Sequence, residues 1–234
     1  MQRERLQSKT MNELNLIQKL IIFAPALIFA ITVHEAAHGW MAGKLGDNTA
    51  RMMGRVTLNP IPHIDLVGTI LVPMGMYSLS VAMGGSGLLI GWAKPVPIDT
   101  RNLGNYRRDT ALVAAAGPLS NLLMLLLWAV IMRLGVGLEG VSNWVAEPLI
   151  YMAFMGIFIN ALLMVLNLLP LLPLDGGRVL ASLLPPRLAI PYSKLEPWGF
   201  MILIALIFSG LLWPILQPAL GLMQSLGFSV AGIQ

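Results

Sequence analysis

Long uncharged stretches dominate the pattern of apolar and polar positions. Residues 20–33 continue, through a polar interruption at His34 and Glu35, to about Ala42, which suffices for one long spanning helix. Residues 111–132 and 148–168 read as further spans, and 198–216 as a last one, with Pro214 and Pro218 near its end. Residues 66–93 are also uncharged but are broken by Pro73 and by Gly84-Gly85-Ser86-Gly87. Residues 88–98 are β-compatible, and Pro95 and Pro97 forbid helix continuation, so extended chain is expected there. Extended backbone at membrane depth is tolerated only where protein covers it or it lines a wet cavity. The expected fold is an all-α polytopic membrane protein with about five transmembrane helices plus a re-entrant or extended element near 66–98. The loops are short, so residues 1–234 are expected to form a single membrane-embedded domain, with a core at about 20–190 and no extramembrane domain.

Composition sharpens this picture. Of 234 residues, 56% are hydrophobic and only 11% charged. A soluble domain carries about 25% charged residues, so both a soluble enzyme and a disordered chain are excluded. The net charge of +4 fits cytoplasmic loops and lipid headgroups. No basic stripe with interleaved aromatics points to nucleic acid. There are no cysteines, hence no disulfide and no thiolate metal site. The apolar stretch after Arg3, Arg5 and Lys9 runs into His34 and Glu35 without a cleavage region, so it is expected as a retained helix. Trp92, Trp128, Trp144 and Trp198 read as interface anchors, and Arg107-Arg108 as a cytoplasmic one.

The chemistry concentrates in His34-Glu35-Ala36-Ala37-His38. Residues four apart share one helix face, so both imidazoles reach one metal, and Glu35 beside them reaches a water on that metal as general base. Two of the three histidines lie here, inside an apolar span where ionisable groups are costly and default to function. Zinc needs a third protein ligand and keeps one position open. Asp175 is the candidate, set by an irregular turn between Pro170, Pro173 and Gly176-Gly177. Its bland alternative is a cap on a helix over 176–184. His63 and Asp65 are rival third ligands.

These residues resemble the site-2 protease family of intramembrane zinc metalloproteases. The matching stretches are His34-Glu35-Ala36-Ala37-His38 and the Asn167, Pro170, Pro173, Asp175, Gly176 pattern. Ala116-Gly117-Pro118-Leu119-Ser120-Asn121 and Gly91-Trp92-Ala93-Lys94-Pro95-Val96-Pro97 match as well. The chain looks like the small bacterial and archaeal branch without PDZ or CBS domains. The resemblance implies one zinc per chain on His34, His38 and Asp175, with Glu35 as catalytic base. It implies an endopeptidase in regulated intramembrane proteolysis whose substrates are transmembrane proteins.

A single metal requires His34, His38 and Asp175 at one depth. Both motifs lie toward the C-terminal ends of their helices, so those helices must run parallel. Spans 111–132 and 148–168 supply two crossings, so 66–93 must enter and return, turning near 84–87. Ten Lys and Arg then lie on one face and five on the other. The richer face is cytoplasmic, which places the active site nearer the cytoplasm of a prokaryotic inner membrane. Zinc-activated water would attack the scissile carbonyl, with Asn121 or Asn167 as oxyanion donor; the bland alternative for each amide is an interhelical hydrogen bond. The arm at 88–98 would pair with an unwound substrate, or serve as a structural cover. A metal-ion carrier and a non-catalytic membrane scaffold using the same polar cluster are the competing functions. Substrate identity and oligomeric state are not encoded in any motif.

Overall fold

The computed structural model describes residues 16–72, 74–75, 78 and 91–233. The helices are α1 (Leu16–Lys44), α2 (Thr49–Met52), α3 (Tyr106–Gly137), α4 (Asn143–Asn167), α5 (Asp175–Leu183), α6 (Pro186–Ser193), α7 (Glu196–Phe208) and α8 (Leu212–Ala231). No strand occurs among the described residues. Among the described residues, three helices are long and apolar enough to cross a bilayer: Ile21–Lys44 of α1, α3 and α4. Helices α6 and α7 form a further apolar unit, bent by 65° between them. The chain is a polytopic, all-helical membrane protein.

The expected last span at 198–216 is not one helix. Gly210 adopts φ +74 and closes α7, and α8 restarts at Leu212. A glycine in the left-handed region is a common helix terminator, and Pro214 sits in the first turn of α8, where a missing N–H costs nothing.

The central packing unit joins α3, α4 and α8. Leu125, Ala129 and Met132 of α3 meet Ile150, Ala153, Ile157 and Ala161 of α4, with Leu216, Leu220 and Phe228 of α8 closing the cluster. On the other side, Ile22, Ala26 and Ala30 of α1 pack against Met155 and Ile159 of α4. Small residues at these contacts let helices approach closely, the usual device where lipid removes the hydrophobic drive for association. Trp128 belongs to this packing and is not an interface anchor: its indole lies where a side chain at Gly156 would be. Trp92, Trp144 and Trp198 are exposed, as an anchor requires.

Hydrogen bonds fix the helix directions. Asn121 of α3 donates to the Ala30 carbonyl of α1 and to Asn160 of α4. Further along, His38 of α1 bonds the Val113 carbonyl of α3. Hence α3 runs against α1, and α4 runs with it, as one shared metal depth demands. The chain between α1 and α3 must then return to where it started, and it does. The Gly104 N–H donates to the Leu45 carbonyl at 3.4 Å, tying the exit of α1 to the entrance of α3. Within this excursion, Trp92 N–H donates to Gly68 O at 3.0 Å and Lys94 N–H to His63 O at 2.9 Å. Segments 63–69 and 92–94 therefore lie side by side. The expected turn at 84–87 lies outside the described residues. Residues 91–99 form extended chain without a ladder.

Local signals hold the ends. Helix α1 stops at Gly46, with φ +114, and Asp47 N–H reaches back to Ala42 O at 2.9 Å, a Schellman closure. At the start of α3, Asn105 Oδ1 accepts from Arg108 N–H and Asp109 Oδ2 accepts from Asn105 N–H, a reciprocal cap.

Candidate metal centre

Two elements bring the polar cluster together. Helix α1 presents His34 and His38 one turn apart, both buried at 7% and 8% exposure. The other element is the turn after α4. Its backbone folds back so tightly that a Cβ at Gly176 would strike the Leu168 carbonyl, and one at Gly177 would strike the backbone of Leu171 and Leu172. The double glycine thus lets α5 begin directly beneath α4 and swings Asp175 toward the histidines. Arg107 of α3 holds the far end of α5 by donating to the Ser182 carbonyl at 3.0 Å and to the Leu184 carbonyl. Arg107 is more than a membrane anchor: it caps the helix whose first residue is Asp175.

The three side chains converge on a small triangle. His34 Nε2 and His38 Nε2 are 3.1 Å apart, and Asp175 Oδ2 lies 3.2 Å from the first and 3.4 Å from the second. Ligands about 2.0–2.1 Å from a tetrahedral zinc stand roughly 3.3 Å from one another. The other ring nitrogens are committed. His34 Nδ1 lies 2.6 Å from Asn121 Oδ1, and His38 Nδ1 lies 2.7 Å from the Val113 carbonyl. Both partners are acceptors, so both Nδ1 atoms carry the proton and both Nε2 atoms turn lone pairs inward. Asp175 Oδ2 is buried and has no hydrogen-bond donor. Two lone pairs and a carboxylate facing one point repel unless a cation lies among them, so the donor set fits zinc. Gly117 of α3 shapes the same point: a Cβ there would press against His38 Nε2 and both imidazole edges.

Glu35 stands beside this triangle, and its Oε2 accepts from the Val96 N–H at 3.0 Å. The extended arm is in turn held by Arg55, which is buried at 7% exposure. Its guanidinium donates to Lys94 O at 2.7 Å, to Pro95 O at 3.2 Å and to Pro62 O. His34, Glu35, His38, Asn167, Asp175 and Arg178 line a cavity of about 210 Å³, with Val96 and Pro95 of the arm forming another part of its wall.

The sequence-based candidates fall into place unevenly. His34, Glu35, His38 and Asp175 meet at the cavity. Asp175 is the first residue of α5, with Leu174 in the capping position, and its Oδ2 takes no N–H. The rivals are engaged elsewhere: His63 Nε2 pairs with Thr57 O, and Asp65 accepts from Gly68 N–H. The Asn121 amide is used at both ends, by His34 on its oxygen and by Ala30 O and Asn160 on its nitrogen. Fully buried, it stands behind His34 and outside the residues that line the cavity, with its N–H groups facing Ala30 O and Asn160. Asn167 lines the cavity and donates to Leu163 O at 3.0 Å. Sequence reasoning passed over Asn160, Arg55 and the reason for Gly117. Asn160 alone carried a usable signal, an amide in the middle of an uncharged span, which is costly there unless hydrogen-bonded.

Fold and site together define a membrane-embedded protein in which a His-Glu-x-x-His helix is closed by a distant carboxylate. The model of Peptidase family M50 matches residues 137–210, the part that carries α4 and Asp175. The chain is 35% identical over 210 residues to "Putative zinc metalloprotease YwhC" of Bacillus subtilis (strain 168), covering 87% of this chain and 88% of that protein. It is 27% identical over 205 residues to "Putative zinc metalloprotease Rip2" of Mycolicibacterium smegmatis, covering 86% and 72%. The protein of that name from Mycobacterium tuberculosis (strain H37Rv) is 26% identical over 201 residues. No solved structure matches. The chain belongs to peptidase family M50, the site-2 protease family, and is a zinc-dependent metalloprotease. This takes the protease reading over the carrier and scaffold readings.

Proposed function

We propose that this protein hydrolyses peptide bonds in or near the transmembrane segments of membrane-protein substrates, with one zinc per chain on His34, His38 and Asp175. The carrying observation is the inward-facing triangle of Nε2, Nε2 and Oδ2 with Glu35 beside it. Bound zinc supplies Lewis acidity, which acidifies water and polarises a carbonyl. Glu35 takes a proton from the attacking water and returns it to the leaving amine. Its Oε2 is fixed by Val96 N–H, so the carboxylate is oriented before substrate arrives. Asn121 positions His34, and Asn167, on the cavity wall, is the better-placed amide for the oxyanion. A helical substrate must unwind to expose its carbonyls, and the arm at 91–99 offers extended backbone against which it can lie. The excess of Lys and Arg on the face that holds the ends of α1 and the start of α3 orients the cavity toward the cytoplasm of a bacterial cell membrane.

The test incubates detergent-purified protein with a model transmembrane peptide, with and without a zinc chelator, beside Glu35→Gln. Cleavage that the chelator stops, and that Glu35→Gln lacks while still holding zinc, is expected. Chelator-insensitive cleavage, or full activity in Glu35→Gln, overturns the reading.

A further inference from the structure

The buried amides behind His34 form a chain whose hydrogen-bond polarity runs one way. Asn160, in the middle of α4 and 0% exposed, donates its Nδ2 to the Gly156 carbonyl at 2.8 Å. A backbone carbonyl only accepts, so the Asn160 amide has a single orientation: nitrogen to Gly156, oxygen to Asn121. That oxygen lies 3.0 Å from Asn121 Nδ2, which also faces the Ala30 carbonyl at 3.3 Å. Two acceptors on one side fix the Asn121 nitrogen there and turn its oxygen toward His34 Nδ1 at 2.6 Å. An imidazole facing an acceptor must carry its proton on Nδ1, which leaves Nε2 as the bare nitrogen.

We infer that Asn160 is a positioning residue that selects the Nδ1–H tautomer of His34 from two hydrogen bonds away. Without its oxygen, Asn121 keeps only the longer bond to Ala30 O, so one of the two acceptors that hold its nitrogen there is gone and the turned-over amide gains population. Turned over, Asn121 offers an N–H to Nδ1, the His34 proton moves to Nε2, and that nitrogen no longer binds a cation. Outer partners of a histidine ligand act in this way, fixing tautomer and ring orientation together. His38 has no such dependence, because its Nδ1 meets the Val113 carbonyl directly. The two histidines thus differ: one tautomer is set by backbone, the other by a relay of side chains across three helices.

This inference rests on His34 being a metal ligand, and the experiment separates the two. Imidazole ¹H–¹⁵N correlation spectra of metal-free protein, at a pH where the ring is neutral, report which nitrogen carries the proton. Zinc titration reports affinity. Wild type should show Nδ1–H for His34. Asn160→Leu should show an Nε2–H population and about tenfold weaker zinc binding, the low end of the range for outer partners. Asn160→Asp, as the protonated carboxyl, donates its O–H to Gly156 O, keeps an oxygen toward Asn121 and should retain the wild-type tautomer and affinity. An Nε2–H His34 in the wild type overturns the inference without any variant. So does an Asn160→Leu protein with unchanged tautomer and affinity, or an Asn160→Asp protein that behaves like it. A wild type with the Nδ1–H tautomer but no zinc binding contradicts the metal reading alone.

Discussion

The two walls of the cavity are built by opposite means. The metal-facing wall consists of α1, α3 and α4, and every nitrogen there is set by a buried acceptor: Val113 O for His38, Asn121 for His34. The facing wall is extended chain with no ladder: Arg55 grips the carbonyls of Lys94 and Pro95, Glu35 takes the N–H of Val96, and Trp92 and Lys94 donate to Gly68 O and His63 O. The first wall is rigid because helices satisfy their own backbone. The second leaves backbone groups of the arm for a partner. Glu35 belongs to both walls, standing on α1 beside His34 while bonded to the arm.

Breaking the first wall has the largest effect. Gly117→Ala places a methyl group against both imidazoles, so stoichiometric zinc and all cleavage should be lost; elemental analysis of the purified variant checks this. If Gly117→Ala keeps full zinc, the helices of this wall are looser than described. Glu35→Gln, at the junction, should lower kcat by about 10²–10⁴-fold with zinc retained, the usual weight of a general base. Loss of zinc there would make Glu35 part of the metal site instead.

Damage to the second wall should be milder and of another kind. Arg55→Met leaves the carbonyls of Pro62, Lys94 and Pro95 without their donor, at about 1–3 kcal/mol of local stability. Hydrogen exchange should rise at Val96 and its neighbours and kcat/KM should fall about tenfold, while zinc content stays unchanged. A loss of zinc in Arg55→Met would show that the walls are one unit. The smallest effect concerns Asp47, which joins the exit of α1 to residues 99–102. Burial alone would raise its carboxyl, but hydrogen bonds from Thr49, Asn102 and the Asp99 N–H hold it below the ordinary 3.8. Its contribution is therefore complete above that value and is lost as pH falls through the lower folded one. Exchange protection over 99–104 should decline on acidification in the wild type and be low and pH-independent in Asp47→Asn.

The same contrast explains what could be read from the sequence. The histidine pair is a local pattern, two positions on one helix turn, and needed no tertiary knowledge. Asp175 was legible because prolines and a double glycine announce an irregular turn. The parity of crossings was legible too, since one metal at one depth constrains every segment between the motifs. Asn121 stood out in the sequence, but its partners did not. An amide in an apolar span shows that it needs hydrogen bonds without showing to what, and the groups it bonds sit on two other helices. Arg55 resembled any loop arginine because its role consists of carbonyls far along the chain. The break at Gly210 was hidden by uniformly apolar neighbours, in which a single left-handed glycine divides what hydropathy joins.

The central claim is that His34, His38 and Asp175 hold one zinc ion together. X-ray absorption of the zinc-loaded protein, with zinc counted per chain in wild type and in Asp175→Ala, tests it most directly. One zinc per chain bound by two imidazole nitrogens and a carboxylate oxygen, with loss of stoichiometric zinc in Asp175→Ala, is predicted. Full zinc in Asp175→Ala with an unchanged ligand shell would contradict it.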